Sequence, residues 1–240
     1  MKEKKKEGRH KMKYRNVWFD ADGTLFDFLR CEAEAVRETM ALKGIVPTDA
    51  LVRAYSEIND GMWKMLERGE IEKGELVWRR FAVFCERFGF AADAKAMSRL
   101  YETRLATKCY LLDGAEALIR KLSPVVSLDI VTNGLAPVQR GRFALCPFRD
   151  CIDGLYISGE VGYEKPDVRY FEAVAASHPD FCRETTLIVG DSLTSDMRGG
   201  IAFGIDTCFY NPSGKSVPSD MPITYVASSF DDVYRIIIEE

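Results

Sequence analysis

The sequence predicts an α/β protein: a doubly wound parallel sheet with a helical-bundle cap inserted after the first strand. Three observations lead there. An apolar run, Val17-Trp18-Phe19, is closed at once by two acids, Asp20 and Asp22, and then by Gly23. Residues 29–110 carry helical periodicity and no convincing strand. Beyond them, apolar runs of strand length alternate with helical segments, the pattern of parallel strands joined by right-handed crossovers.

Taken in order, the first strand is apolar without alternation, as a strand buried on both faces requires. Successive strand side chains point to opposite faces, so Asp20 and Asp22 share a face and Ala21 points away. Gly23 permits a sharp turn, which places both acids at the carboxyl end of the strand, where open α/β sheets bind ligands. An Asp-Gly pair closing a strand in an ordinary turn is the plainer alternative. In the helical span, Leu51, Tyr55, Ile58, Met62, Met65 and Leu66 follow a three-and-four spacing, as do Val77, Trp78, Phe81, Phe84, Cys85 and Phe88. Cys31 to Lys43 and Asp93 to Thr107 complete a four-helix bundle whose aromatic and methionine stripes read as its core. The later strands are expected over Val125–Val131, Leu155–Ser158, Thr186–Gly190, Asp206–Phe209 and Thr224–Ala227. Helices are expected over Gly114–Leu122, Pro137–Leu145, Pro166–Ala176 and Ser195–Phe203, with Asp113 capping the first and Ser228 with Asp231 forming a capping box for one last helix. The predicted division is a basic tail over 1–16, a core over 17–28 and 111–240, and a helical cap over 29–110.

Length and composition bound the rest. A chain of 240 residues buries roughly 70 to 75 per cent of its unfolded surface and needs no disulfide or structural metal to fold. Seven cysteines lie scattered with no Cys-x-x-Cys pair, which reads as buried thiols in a reducing cytoplasm. No run approaches the length of a membrane span, and the basic start is not followed by a signal-peptide core. The first sixteen residues hold eight Lys or Arg and two Glu, a local charge of +6 that leaves −10 for the remainder. Such a start is read as a solvated terminus, with neither nucleic acid nor membrane expected as a partner.

Three later strands end in groups that suit phosphate chemistry. The second runs into Thr132-Asn133-Gly134, offering a hydroxyl and an accessible backbone amide, although the same tripeptide is also an ordinary turn. Lys165 precedes Pro166, which can open a helix at its first position, where the dipole favours anions. The run Leu187-Ile188-Val189-Gly190 ends in Asp191, with Asp196 five residues on. Four acids gathered at the strand ends are costly without a cation, and hard oxygen ligands suit magnesium.

Together, Asp-Ala-Asp-Gly-Thr-Leu-Phe-Asp from Asp20, the Thr132 strand end, Lys165 and the Asp191/Asp196 segment resemble the four motifs of the haloacid dehalogenase (HAD) superfamily, in that family's order. The resemblance spans the chain from Val17 and implies a HAD-like, Rossmann-type core. It implies Asp20 as nucleophile, Asp22 as general acid and then base, Thr132 and Asn133 as phosphate-binding, and Lys165 as a cationic clamp. Asp191 and Asp196, with Asp20 and the Asp22 carbonyl, would hold Mg2+. The implied reaction is attack of Asp20 on a phosphate monoester to give an aspartyl phosphate, which water then hydrolyses.

Rival readings are separated by residues. Dehalogenases of the superfamily lack an acid at the position of Asp22; a phosphomutase keeps all four motifs; an inactive binding module would lack one of the acids, and none is missing. The flanking forms Gly-Glu-Val-Gly-Tyr-Glu-Lys-Pro-Asp, Gly-Asp-Ser-Leu-Thr-Ser-Asp and Tyr210-Asn211-Pro212 are similar to bacterial pyrimidine 5'-nucleotidases. The expected substrate is therefore a nucleoside monophosphate, with phosphoglycolate and sugar phosphates as the alternatives. The linker Arg68 to Gly74 and nearby cap aromatics are expected to close over it.

Overall fold

Among the residues that the computed structural model describes, 12–239, six strands form one all-parallel sheet. They are β1 (Asn16–Phe19), β2 (Ser127–Thr132), β3 (Gly154–Ile157), β4 (Thr186–Gly190), β5 (Asp206–Tyr210) and β6 (Tyr225–Ala227), in the spatial order β3-β2-β1-β4-β5-β6. β1 lies at the centre, with Val17 opposite Leu128 on one side and Leu187 on the other. The chain winds outward from β1 to β3 and then crosses back to β4, so the switch point of this doubly wound sheet falls between β1 and β4. Loops leave that point in opposite directions and open a crevice at the carboxyl ends.

The alternation along β1 builds two cores. Val17 and Phe19 pack with α5 (Ala115–Leu122) and α10 (Phe230–Glu239), through Leu118, Ile119, Val233 and Ile237. Trp18 faces the opposite way, among Phe171 and Val174 of α8 (Val168–Ala176) and Phe203 of α9 (Arg198–Phe203). Its ring stacks with Phe181 and Phe203 at centroid distances of 5.7 and 6.2 Å.

Four consecutive helices stand between β1 and α5 in the chain: α1 (Phe28–Leu42), α2 (Asp49–Glu67), α3 (Lys73–Phe88) and α4 (Ala94–Leu105). They enclose a separate apolar cluster that includes Tyr55, Phe81, Phe84, Met97 and Tyr101. The two chain crossings between this bundle and the sheet are tied together, since the Asp27 amide donates to Tyr110 O and the Leu112 amide to Leu25 O. The sheet layer is completed by α6 (Ala136–Ala144) and the short α7 (Ser158–Val161).

Several boundaries differ from the sequence reading for local reasons. Tyr14 is fully buried, its hydroxyl donating to Asp206, and Asn16 already belongs to β1, so the tail expectation fails for its last residues. Residues 1–11 of that tail lie outside the described residues. Val125 is exposed in the turn before β2. Pro166 is not a helix-opening residue: α8 begins at Val168, capped by Asp167, whose carboxylate accepts from the Arg169 amide. Gly114 with φ +92° replaces Asp113 as the cap of α5. The last capping pair is one residue later than expected, Ser229 with Asp232. Residues Leu193–Met197 form a π-turn ahead of α9, where a continuous helix from Ser195 was expected.

The Trp18 packing yields a stability prediction. Trp18→Ala removes a fully buried indole from the centre of the sheet and should lower unfolding free energy by about 3–5 kcal/mol. Urea denaturation followed by circular dichroism measures it; an unshifted midpoint would mean that this face contributes little to the core.

Candidate active site

The strand ends at the switch point place the acids. β pairing stops at Phe19, but the Asp20 amide still donates to Val189 O at 2.9 Å, carrying the β1–β4 ladder one residue further. Gly23 then turns with φ +89°, and a Cβ there would lie 2.6 Å from Asp191 Oδ2, so only glycine lets the two loops meet. Gly190 serves the same purpose on β4: an added Cβ would fall 2.2 Å from Asp196 Oδ2. Carboxylate oxygens of Asp20, Asp191 and Asp196 consequently lie within 4.8 Å of one another.

Lys165 is buried in the middle of this arrangement. Its ammonium donates to Asp20 Oδ1, Asp196 Oδ1 and Val131 O at 2.7, 2.7 and 2.8 Å, which uses all three N–H bonds. Burial alone would lower its pKa, but the Asp196 and Asp20 carboxylates reverse the effect and hold it well above the ordinary lysine value. For Asp20 and Asp191, burial acts first and repulsion from neighbouring carboxylates adds to it. The Asp20 carboxyl is raised well above its usual range against the pull of Lys165, and Asp191 is pushed up to about 7 by burial and by Asp196. One buried ammonium, with Lys215 3.9 Å from Asp191 at the more exposed side, thus faces three carboxylates, an excess of negative charge that a divalent cation would relieve. The donor set is all oxygen, which fits magnesium, and Asp20, Asp191 and Asp196 are the residues that would hold it.

The fourth acid stands apart. Asp22 forms an ion pair with the fully buried Arg142, and its Oδ2 accepts from Gln139 Nε2 at 2.6 Å. The expectation that four carboxylates crowd together therefore holds for three, because Asp22 has its own cation. Arg142 also donates to Lys108 O at 3.1 Å, which links Asp22 to the returning chain crossing. Thr24 supports the other oxygen of Asp20 through its hydroxyl at 3.2 Å.

Thr132 lines the same cavity as Asp20 and Asp22; its hydroxyl oxygen accepts from the Gly134 amide at 3.1 Å and from Gln139 at 3.3 Å. The resemblance gives Asn133 a backbone role towards phosphate, and its side chain does something else. Its Nδ2 donates to Lys165 O and its Oδ1 accepts from the Lys165 amide, both at 2.8 Å, so it pins the lysine loop against the end of β2. Its carbonyl accepts from Lys73 at 2.9 Å, the first residue of α3, which also reaches Ser158 Oγ and Glu164.

The expected Arg68–Gly74 linker does not line the cavity; its own Lys73 and the preceding Glu67 anchor the helical bundle to the sheet. Lys73 makes the contacts just named on one side, and Glu67 accepts from Thr194 Oγ1 at 2.6 Å on the other. Between them lies a cavity of about 670 Å3, floored by the acids and walled by Phe28, Trp63, Leu105 and Val138. Lys215 also lines it, 3.9 Å from Asp191.

Sequence reasoning missed Gln139, Arg142, Thr24 and Lys215, and included Lys73 only as part of the linker. For the first pair a signal exists: residues three apart on α6 share a face, and Gly141 beside them marks a close approach, since a Cβ there would lie 2.7 Å from Ala106 O.

The model of the haloacid dehalogenase-like hydrolases matches residues 14–204. The pyrimidine 5'-nucleotidase PynA of Streptococcus pneumoniae (strain ATCC BAA-255 / R6) is 33% identical over 223 residues, covering 92% of this chain and 94% of that protein. The pyrimidine 5'-nucleotidase YjjG of Escherichia coli (strain K12) is 30% identical over 229 residues, covering 94% and 99%. The crystal structure of the HAD-hydrolase YfnB from Bacillus subtilis, bound to magnesium, superposes with a TM-score of 0.90 at 34% identity, covering 94% of this chain and 99% of that one. With a family model that matches most of the chain and relatives of 30% identity or more along nearly its whole length, the chain belongs to the haloacid dehalogenase-like hydrolases.

Proposed function

We propose that this protein is a magnesium-dependent phosphatase of nucleoside 5'-monophosphates, pyrimidine nucleotides favoured. The observation that carries the reading is the Asp20 carboxylate, fixed by Lys165 and Thr24 at the floor of a cavity that also holds Asp22 and Thr132. A carboxylate so oriented can attack phosphorus in line and form an aspartyl phosphate. Lys165 balances the charge on Asp20 during the attack, and Thr132 offers its hydroxyl to a phosphoryl oxygen. Asp22 protonates the leaving oxygen and afterwards takes a proton from the attacking water. To do so it must exchange Arg142 or Gln139 for the substrate, since both now occupy its carboxylate. Bound magnesium would supply positive charge against the phosphoryl oxygens.

The nucleotide part of the reading rests on the flanking sequence forms and on what PynA and YjjG are named for. The helical bundle covers the leaving-group side of the cavity through Phe28, Trp63 and Leu105, aromatic and apolar surface suited to a base and ribose. Cytoplasmic action on a small phosphate ester follows from the same reading; among the described residues no helix is long and apolar enough to cross a membrane.

Two experiments test this. In a phosphate-release panel, UMP, dUMP and dTMP should be hydrolysed in preference to purine nucleotides, hexose phosphates and phosphoglycolate, with activity lost in EDTA and restored by magnesium. A clear preference for hexose phosphates or phosphoglycolate would overturn the nucleotidase reading, and a rate unchanged by EDTA would overturn the metal assignment. Asp22→Asn should impair the release of a sugar alkoxide far more than that of p-nitrophenol, which needs no proton to leave. Equal losses on both substrates in the first step would remove Asp22 from the acid role.

A further inference from the structure

The upper end of the cavity contains a polar group that the phosphatase chemistry does not use. Glu32 of α1, Ser56 and Asn59 of α2, and Arg80 of α3 all line it, and Glu32, Asn59 and Arg80 are each only 2% exposed. They form one chain of hydrogen bonds. Ser56 Oγ and Asn59 Nδ2 donate to the two Glu32 oxygens at 2.5 and 2.7 Å, and Arg80 Nη1 donates to Asn59 Oδ1 at 2.8 Å. Arg80 Nε is taken by Val77 O at 3.1 Å, and the guanidinium lies over the Tyr101 ring at 4.8 Å.

The chain is incomplete at one point. Arg80 Nη2 is buried and has no hydrogen-bond partner among the described residues. A buried donor of a charged group left without a partner is unfavourable and rare in folded proteins. Each Glu32 oxygen accepts a single bond here and retains capacity for another. A spare acceptor and a spare donor therefore stand at the two ends of a short link through Asn59. Glu32 sits one helical turn beyond Phe28, roughly 6 Å further along α1, and both line the same cavity as the acids.

We propose that this patch reads the imide edge of a uracil or thymine ring: Glu32 accepts the imide N–H and Arg80 Nη2 donates to the adjacent ring carbonyl. Asn59 and Ser56 hold the two charged groups in register. The inference rests on the nucleotidase reading and names the residues that would give it base selectivity. A network that only ties α1, α2 and α3 together would support all substrates alike, which separates the two roles.

The test compares kcat/KM for UMP, for UMP methylated on its imide nitrogen, and for ribose 5-phosphate, in the wild type, Glu32→Gln and Arg80→Lys. Methylation should lower the wild-type value by about tenfold or more, the loss expected when a hydrogen bond to a charged group is blocked. In both variants the ratio of UMP to ribose 5-phosphate should fall by about tenfold, and Glu32→Gln should respond less to methylation. Methylated UMP hydrolysed as well as UMP, or parallel losses on UMP and ribose 5-phosphate, would overturn the inference. The methylation arm uses only the wild type, so it decides even if a variant does not fold. A wild type that prefers UMP but ignores methylation removes this subsite alone; a wild type with no preference for UMP over ribose 5-phosphate removes the nucleotidase reading as well.

Discussion

A single buried ammonium organises the strand ends. Lys165 is bonded to Asp20 and Asp196, acids that come from different loops, and to the carbonyl of Val131 in β2. Three segments of the sheet meet on one cation. Without it, three carboxylates within 4.8 Å would repel each other in a site of low dielectric. Removing one partner of a buried charge pair is strongly destabilising, because the remaining charge loses its compensation without regaining water. The Asn133 side chain, bonded to both backbone groups of Lys165, keeps that cation from following its own loop away.

The order of strands explains why these segments meet. Asp20 leaves the central strand, Asp191 and Asp196 follow its neighbour on one side, and Thr132 ends its neighbour on the other. All leave by the carboxyl ends, where crossover geometry opens a crevice. The helical bundle then closes the crevice through Lys73 and Glu67, each bonded to a loop that belongs to the sheet. In the proposed function, chemistry at the floor and selection at the roof draw on different helices and strands, so substitutions above the cavity should alter the leaving-group preference while the acids keep their places.

The features legible in the sequence were those with a local cause. Apolar runs gave the strands, their closing acids gave the floor of the site, and three-and-four spacing gave the four helices. Lys165 was identifiable by its place among the motifs, but its environment was not. The sequence suggested a helix start, whereas α8 begins three residues later and the lysine is surrounded by carboxylates. Strand alternation puts Asp22 on the same face as Asp20 and so predicts it in the acid cluster. Its actual partners, Gln139 and Arg142, lie 117 and 120 residues further on, and no local pattern encodes a pairing of that range. The Glu32–Asn59–Arg80 network was hidden for the same reason, since its members sit on three helices and only packing of the bundle brings them together.

The central claim is that the carboxylate held by Lys165 is the one that bonds to phosphorus. Trapping the covalent intermediate tests it most directly. Asp22→Asn protein, slowed in the hydrolytic step, is mixed with p-nitrophenyl phosphate and magnesium, quenched in acid, reduced with borohydride and mapped by peptide mass. An acyl phosphate at Asp20 would be reduced to homoserine, and the account predicts that conversion at residue 20 and at no other acid. Homoserine at Asp191 or Asp196, or a burst of p-nitrophenol with none at residue 20, would contradict it.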